Sequence, residues 1–290
     1  MGKINTSESL ENEHWDLIIK PTSGLLDLKL KEVWRYRDLL RLWVRREFVG
    51  AYKQTILGPL WHFISPIFST LTYMIFGQIA QLKTDGVPMF LFYNAGIAIW
   101  NFFNGCFSSS SGAFTNNAAI IGKVYFPRLV MPLASIISTL IKFGIQFSLF
   151  VVVYIYTISF QGYHPHIGWG LFYIPLALFL LAGIGFGFGI IVSSVTTKYR
   201  DLTQLVGFGM QLLMYATPII YSFSRVSPAI KKYLIINPLV APVECFKYAL
   251  FGVGQFSPML LAYSFAWMIV LLFVGVILFN KAEKNFMDIV

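Results

Sequence analysis

The sequence predicts an all-α integral membrane protein with six transmembrane helices. Hydrophobic residues make up 57% of its 290 residues and charged residues 12%, against about a quarter charged in soluble domains. Six apolar segments each approach the roughly 20 residues that a helix needs to cross the hydrocarbon core. Because backbone amides in lipid must bond within their own segment, and because these runs lack the alternation of β-barrel strands, helices are the expected structure.

The six predicted spans share a high density of apolar and aromatic residues. They cover residues 57–79, 88–107, 131–156, 169–195, 202–221 and 259–279. The first lies far from Met1 behind a charged segment, which argues against a cleaved signal peptide. Cys106 and Cys245 have neither ligand spacing nor a disulfide framework, so we interpret them as small buried apolar residues.

The distribution of lysine and arginine predicts the orientation in the membrane. One side carries 16 of the 22 basic residues, ten of them in residues 1–56 and two each in the loop before span three, the loop before span five and the tail. The other side carries five, and Lys142 lies inside span three. Both termini are therefore expected in the cytoplasm. The net charge of +9 then reflects topology, and nucleic-acid binding is disfavoured because the basic residues are spread over several membrane-flanking loops.

The segment before span one has the pattern of an amphipathic helix lying in the membrane interface. Apolar residues recur at three- and four-residue spacing from Val33 to Phe48, and charged residues occupy another face. The apolar positions are Val33, Tyr36, Leu40 and Trp43, and the charged positions are Arg35, Asp38, Arg41 and Arg45. A solvated helix packed on a cytoplasmic domain is the alternative. The chain thus divides into a cytoplasmic segment (1–30), this helix and its linker (31–56), a six-span domain (57–280) and a cytoplasmic tail (281–290).

The cytoplasmic loop between spans two and three, at about residues 110–128, is too short to be a domain. A short helix there would be a natural contact for a soluble partner. The chain has no Gly-rich loop followed by Lys-Ser or Lys-Thr, the pattern that binds nucleotide phosphates. Any ATP chemistry must therefore come from another chain. No metal site is expected, since His62, His164 and His166 form no constellation with carboxylates.

Four glycines in span four predict close helix packing. Gly183 and Gly187 are four residues apart, as are Gly185 and Gly189, so each pair lies on one helix face where another backbone can approach. A hinge is the alternative interpretation.

The loop between spans five and six, residues 222–256, is too long for a turn and too apolar for a solvated loop. Pro228, Pro238 and Pro242 interrupt it. We expect two short helices at about 225–256 that dip part-way into the membrane, where non-helical turns need shelter in protein or a cavity. Glu244 and Lys247, three apart on one helix turn, are placed to neutralise each other. A seventh span is the alternative, which the prolines and the basic residues disfavour.

Lys142 and the aromatic residues are the remaining functional candidates. A charge inside a span is a functional hypothesis by default, although a long lysine can also snorkel to an interface. Aromatic residues make up 17% of the chain, and their faces can stack on sugar rings. For any single aromatic residue, helix packing is the competing interpretation.

A resemblance to a protein family rests on several short sequence blocks that occur in the family's order along the chain. They are residues 37–39 and 52–61 with Pro66, residues 117–119 and 123–128, residues 198–202 and 217–221, residues 237–239, and residues 283–288. Together they span essentially all of the chain after the first 30 residues. The sequence resembles the membrane subunits of type-2 ABC exporters that move polysaccharides and polyol phosphates.

The resemblance implies a homodimer bound to two copies of a separate ATPase, which binds ATP and Mg. It assigns the helix before span one to a cytoplasmic gate, residues 125–128 to a coupling helix on the ATPase, and the outer loop to gate helices. The gate-helix residues are Trp34, Arg37, Arg41 and Arg45; the coupling residues are Tyr125, Phe126, Pro127 and Arg128; the outer-gate residues are Asn237, Pro238, Glu244 and Lys247.

The resemblance also implies a channel rich in aromatic side chains. We expect its lining to include Phe68, Tyr93, Phe103, Tyr215 and Tyr221. The implied cargo is a glycan or teichoic acid polymer carried on polyprenyl pyrophosphate in the membrane lipid. We favour an O-antigen type, with capsule and teichoic acid export as alternatives. A membrane-embedded glycolipid transferase or phosphatase and a secondary transporter are the competing classes, disfavoured by the lack of a catalytic constellation and of further mid-span charges.

Overall fold

A computed structural model of the chain describes residues 34–50, 53, 55–112, 129–164, 169–196, 199 and 201–286. Within those residues the secondary structure is helical, without a strand. The α-helices are α1 (Arg37–Gly50), α2 (Trp61–Ile79), α3 (Met89–Ser111), α4 (Val130–Gln161), α5 (Tyr173–Thr196), α6 (Leu202–Tyr215), α7 (Pro228–Leu234), α8 (Val240–Phe251) and α9 (Pro258–Phe286). The predicted all-α class is confirmed for this part of the chain.

Three helices among the described residues are long and apolar enough to cross a membrane. They are Val130–Gln161, Gly170–Thr196 and Pro258–Ala282, which coincide with the third, fourth and sixth predicted spans. Helices α2 and α3 coincide with the first two predicted spans but carry more polar residues. Helix α6 has 14 residues, which gives about 21 Å against the roughly 30 Å of a hydrocarbon core.

Helix α6 ends at Tyr215, six residues before the predicted end of the fifth span. Pro218 follows, and it lacks an N–H while disfavouring helical geometry at the residue before it. The chain therefore leaves the helix and continues as an irregular segment, residues 216–222, that is largely buried. The length of the apolar run 202–221 predicted a helix along its whole length. The helix is shorter because Pro218 interrupts it.

Helix α3 lies at the centre of the bundle. Each residue from 91 to 100 is buried, and the helix packs against α2, α4, α5 and α8. A hydrogen bond from the Asn94 side chain to the Thr70 hydroxyl, 3.4 Å long, joins it to α2. Because residues 91–100 of α3 are buried on all sides, the neighbouring helices are arranged around this part of it.

The glycines of α5 sit at its two closest helix contacts. A Cβ placed on Gly187 would lie 2.9 Å from the backbone of α9 at Leu271, and one on Gly189 would lie 2.7 Å from the Phe107 carbonyl oxygen of α3. Gly183 likewise faces α9 and Gly185 faces α3. The predicted close packing at these glycine pairs is confirmed, and it fixes α5 between two neighbours.

Helix α6 stands apart from this packed bundle. Met210 is its only buried residue, and a cavity of about 590 Å³ separates it from α3 and α5. Uncharged polar side chains line part of this cavity, among them Asn104, Ser108, Thr196 and Gln211. The shaft of α6 is therefore held to the bundle by few side chains.

Helix α1 packs its apolar face against the start of α4 and joins a cluster with residues near the end of α9. Trp43 is 7% exposed and belongs to a cluster that includes Val130 and Phe279. The Ser135 hydroxyl donates a hydrogen bond to the Glu47 carboxylate and ties α1 to α4. The predicted amphipathic pattern is confirmed from Tyr36 onward, since its charged positions are exposed.

Candidate functional site: an aromatic groove and the outer loop

A groove lined by aromatic rings and hydroxyl groups runs along α2. Its volume is about 600 Å³, and Tyr215 at the end of α6 closes one side. The aromatic residues are Trp61, Phe68, Tyr73, Phe76 and Tyr215, and the hydroxyl residues between them are Ser65, Ser69 and Thr72. The groove lining carries no charged side chain. Such a surface offers stacking faces and neutral hydrogen-bonding groups to a ligand.

Phe68 and Tyr215, two of the predicted lining residues, meet in this groove. Phe68 is 66% exposed and Tyr215 is 48% exposed, so both rings are presented to the groove. The Tyr73 hydroxyl lies 3.5 Å from the Met214 sulfur and bridges the two helices. Two elements far apart in sequence thus form one surface.

Tyr221, a third predicted lining residue, extends this surface towards the predicted outer loop. A second cavity of about 460 Å³ has both Tyr215 and Tyr221 in its wall, together with Lys83 and Arg225. The Tyr221 hydroxyl donates to the Tyr215 carbonyl oxygen at 3.2 Å. The two cavities share Tyr215 in their walls, so the aromatic groove and the outer-loop cavity lie side by side.

The other two predicted lining residues belong to the core of the protein. Tyr93 and Phe103 are each 1% exposed. Tyr93 packs against Gly77, where an added Cβ would lie 1.8 Å from the tyrosine hydroxyl, and Phe103 packs on the Trp100 ring. The prediction is corrected for these two positions, because neighbouring helices enclose both side chains.

The predicted outer loop contains two short helices, α7 and α8, as expected. Glu244 and Lys247 lie on α8 and form a buried ion pair 3.8 Å long, with exposures of 2% and 3%. The Lys247 ammonium also donates to the carbonyl oxygens of Pro218 and, at 3.2 Å, of Tyr221. Its charge lies 4.2 Å from the centre of the Phe92 ring. The expected neutralisation is confirmed, and the lysine additionally satisfies backbone groups of the irregular segment after α6.

Asn237 ties the same segment to the turn between α7 and α8. Its side-chain amide donates to the Ala216 carbonyl oxygen at 3.1 Å and to the Thr217 hydroxyl at 3.0 Å. Its side-chain oxygen accepts from the Leu239 amide at 3.0 Å. Next to it, the Pro238 carbonyl oxygen accepts a 2.7 Å hydrogen bond from the Ser264 hydroxyl of α9. Asn237 and Pro238 therefore hold the end of α6, the outer loop and α9 together.

Asp85 fastens the α2–α3 loop to this assembly. Its carboxylate accepts hydrogen bonds from the hydroxyls of Ser222 and Ser224 and pairs with Arg225 at 3.0 Å. Burial alone would raise the pKa of Asp85, but these donors outweigh it and hold the pKa below its ordinary value. Sequence analysis missed this residue. The Asp85–Gly86 pair is a turn signal that could have drawn attention to it, and both residues have positive φ.

The gate-helix residues are exposed on α1 or just before it. Trp34 is 72% exposed, Arg37 and Arg45 are also exposed, and Arg41 pairs with Asp38 at 3.5 Å on the surface. Residues 1–30 and the coupling residues Tyr125, Phe126, Pro127 and Arg128 lie outside the described residues, as do residues 287–290 of the tail. Among the described residues, no group of three His, Cys, Asp or Glu side chains could hold a metal ion.

Sequence comparison identifies the family and several relatives that the chain is similar to. The family model for the ABC-2 type transporter matches residues 38–251. The chain is 28% identical over 266 residues to the O-antigen export system permease protein RfbA of Klebsiella pneumoniae, covering 91% of this chain and 100% of the relative. It is 20% identical over 252 residues to the capsule polysaccharide export inner-membrane protein CtrC of Neisseria meningitidis, covering 85% and 89%. It is 23% identical over 245 residues to the polysialic acid transport protein KpsM of Escherichia coli, covering 82% and 91%.

Proposed function

The chain belongs to the ABC-2 type transporter family, and from that premise we propose that it is the permease subunit of an ATP-driven exporter of a lipid-linked polysaccharide. The observation that carries this proposal is the similarity to an O-antigen export permease over that relative's full length. An O-antigen type of cargo is favoured for the same reason. Capsule export is the second candidate, supported by the relatives named for capsule and polysialic acid transport; for teichoic acid the support is the sequence resemblance alone.

The partners follow from what this chain lacks and what its family requires. Its sequence contains no nucleotide-binding loop, so ATP and Mg bind to a separate ATPase, present in two copies on a homodimer of this subunit. The coupling segment Tyr125–Arg128 contacts that ATPase. Phe126 is its apolar knob and Arg128 its charge contact.

The proposed topology has six spans in the inner membrane with both termini in the cytoplasm. The basic residues of the sequence support this orientation, and the three long apolar helices support the multi-pass arrangement. Helix α6 is too short to cross alone, and the irregular segment after it completes the span. Lys247 and Asn237 supply the hydrogen bonds that its carbonyl groups need at membrane depth.

The groove along α2 and α6 forms half of the proposed cargo path, with Phe68, Tyr215 and Tyr221 in its lining. A moving polymer needs contacts that are favourable enough to enter and weak enough to leave. Aromatic faces meet this need, because each ring-to-ring contact contributes about 1 kcal/mol by analogy with aromatic pairs. Helices α7 and α8 form the outer gate, and α1 forms the interfacial gate at the entrance.

Export and ATP hydrolysis together test this proposal. Cells that lack the chain should retain lipid-linked glycan inside and lose the corresponding surface polymer, measured by extraction of lipid-linked glycans and by surface labelling. Analysis of the retained polymer identifies O-antigen, capsule or teichoic acid. Phe126→Ala should assemble with the ATPase but export poorly, since hydrolysis is uncoupled. Unchanged surface polymer in the deletion strain would contradict the proposal.

A further inference from the structure

Helix α7 is a short amphipathic helix whose apolar residues are uncovered. None of its residues is buried, and it makes no extensive contact with another helix in the described part of the chain. Ile230 and Tyr233, three apart on one side of the helix, are 56% and 76% exposed, and Ile236 beyond its end is 63% exposed. An apolar surface of this kind, edged by polar residues, marks a contact with a partner or a membrane.

Two hydrogen bonds set the level of α7 along a membrane helix. The Tyr263 hydroxyl of α9 donates to the Ile236 carbonyl oxygen at 2.9 Å, and the Ser264 hydroxyl donates to the Pro238 carbonyl oxygen at 2.7 Å. Tyr263 lies five residues, or about 8 Å, inside the long apolar helix that begins at Pro258. An interfacial helix buries its apolar face about 5–10 Å into the boundary between headgroups and acyl chains. The end of α7 is therefore at the level of that boundary.

Basic side chains edge the same helix. Lys232 is exposed, and the Lys231 ammonium lies 4.6 Å from the centre of the Phe223 ring. The acidic side chains of this region, Asp85 and Glu244, are each already paired with a basic residue. The surface around α7 therefore keeps an excess of positive charge, which favours an anionic partner.

A cavity of about 460 Å³ brings α7 together with two further basic residues. Ile230 and Leu234 form part of its wall, and Lys83 and Arg225 form another part. The same two basic residues also line the adjoining cavity at the α2–α3 loop. Arg225 is anchored by its ion pair with Asp85, whereas the Lys83 ammonium has no hydrogen bond or ion pair with any residue that the structure describes. One cavity thus combines an apolar wall with an unpaired positive charge.

An anionic phospholipid complements both parts of this cavity. A small soluble anion would leave the apolar wall uncovered, and an uncharged lipid would leave Lys83 without a partner. A second copy of the chain is disfavoured, because a two-fold contact places a surface against itself and would bring the basic residues of the two copies together.

We propose that α7 docks onto the membrane leaflet that borders the start of α9 and holds an anionic phospholipid there. Ile230, Tyr233 and Ile236 contact the upper part of the acyl chains, and Lys83 and Arg225 hold the phosphate. This interaction needs α9 to be a membrane helix, and it does not depend on the cargo proposed above.

Fluorescence quenching at α7 tests the proposal in the full-length protein. Tyr233→Cys is labelled with bimane, and the labelling is selective because Cys106 and Cys245 are 0% and 1% exposed. The protein is reconstituted into vesicles of equal parts phosphatidylglycerol and phosphatidylcholine, in which only one of the two lipids carries brominated chains. Brominated phosphatidylglycerol should quench the label more than brominated phosphatidylcholine. A label on Phe160→Cys of α4, where the native ring is also 76% exposed, is the matched control and should be quenched equally by both.

Substitution of Lys83 tests where the headgroup lies. Lys83→Met should lower the relative affinity for phosphatidylglycerol at the Tyr233→Cys label about fivefold, which corresponds to the roughly 1 kcal/mol that one basic residue contributes near an anionic surface. Lys83→Arg should keep the preference. Lys232→Met should reduce it by a smaller factor, because Lys232 lies outside the cavity wall.

A preference for phosphatidylglycerol that is lost in Lys83→Met and kept in Lys83→Arg supports the proposal. Equal quenching by the two lipids with Lys83 present, or no quenching by either, overturns it. Quenching between labels on two copies, relieved by dilution with unlabelled protein, would assign the face to a second copy. Displacement of phosphatidylglycerol by a lower concentration of farnesyl pyrophosphate would assign the cavity to a prenyl lipid, and either result also overturns the proposal. Export is assayed separately, so that normal export without the lipid preference refutes the docking and leaves the transport function standing.

Discussion

Helices α5 and α6 are both apolar, yet they are held in opposite ways. Along α5, glycines bring the backbones of α3 and α9 to distances at which an added Cβ would clash. Along α6, only Met210 is buried, and a Cβ on Gly207 or Gly209 would meet nothing within 4 Å. Helix α6 is instead attached at its end, where Asn237 bonds Ala216 and Lys247 bonds the segment that follows.

Helix α5 is thus part of the packed scaffold, whereas α6 borders cavities that other molecules could enter. Dispersion and close contact fix α5 along its whole length. Polar anchors fix α6 at one end. The rest of the helix borders the cavity that it shares with α3 and α5, and Tyr215 at its end faces the aromatic groove.

Loss of the Lys247 ion pair and hydrogen bonds at the end of α6 should lower the free energy of unfolding most. Lys247→Met leaves the buried Glu244 carboxylate and the Pro218 carbonyl without their partner, and breaking a buried pair in this way costs about 3–5 kcal/mol. A measurement of the free energy of unfolding in mixed micelles should show this loss of stability. The double variant Glu244→Gln/Lys247→Met removes the stranded charge and should recover part of it. A single variant as stable as the wild type would show that the ion pair does not anchor α6.

Glycine replacement should distinguish the two helices directly. Gly187→Leu places a side chain against the α9 backbone and should cost about 3 kcal/mol, near the upper end for overpacking. Gly209→Leu on α6 meets open space and should be neutral or stabilise by up to about 1 kcal/mol through helix propensity. The same unfolding assay compares the two. Equal destabilisation by both substitutions would erase the contrast between α5 and α6.

Lowering the pH should weaken the contact between Asp85 and residues 222–225, with a smaller effect on stability than the substitutions above. The pKa of Asp85 is lowered in the folded protein, so its contribution to stability is present above the ordinary carboxyl pKa of about 4 and is lost as pH falls through the folded value. The stability difference between the wild type and Asp85→Asn should therefore be largest near pH 7 and shrink below pH of about 4. Thermal unfolding at stepped pH measures it. A difference independent of pH would exclude ionisation of Asp85 as the cause.

Aromatic truncation in the groove should change stability least and export most. Phe68→Ala removes a ring that is 66% exposed, and Phe273→Ala on α9 removes a matched ring that is 55% exposed. Both proteins should unfold within about 0.5 kcal/mol of the wild type, as is usual for exposed positions. Export should fall for Phe68→Ala alone, with ATP hydrolysis still measurable. Equal export by the two variants would remove Phe68 from the proposed lining.

Several features of the molecule were predictable from local sequence patterns. The spacing of Tyr36, Leu40 and Trp43 predicted the face on which α1 packs. Glycines four residues apart predicted the two contacts of α5, and the i,i+3 spacing of Glu244 and Lys247 predicted their ion pair. Each of these depends on residues within one or two helical turns, where covalent geometry dictates which side chains share a face.

Other features depend on tertiary contacts. Asp85 gains its role only because residues 222–225 fold back onto it, and Lys247 acts on carbonyl groups 26 and 29 positions away in the sequence. The sequence offered no reason to treat Tyr93 differently from Tyr215. Tyr93 is buried because other helices enclose its part of α3, whereas Tyr215 on α6 is exposed.

By itself, the sequence determined the helical class, the approximate positions of the three long apolar helices and the pairings within a helix. The tertiary structure alone decided which aromatic rings face the groove and which lie in the core. The physical reason is that lipid and protein interior are equally apolar. Hydrophobicity therefore reports that a helix lies in the membrane but not which face meets lipid, a neighbouring helix or a path through the protein, and that choice is made when the helices pack.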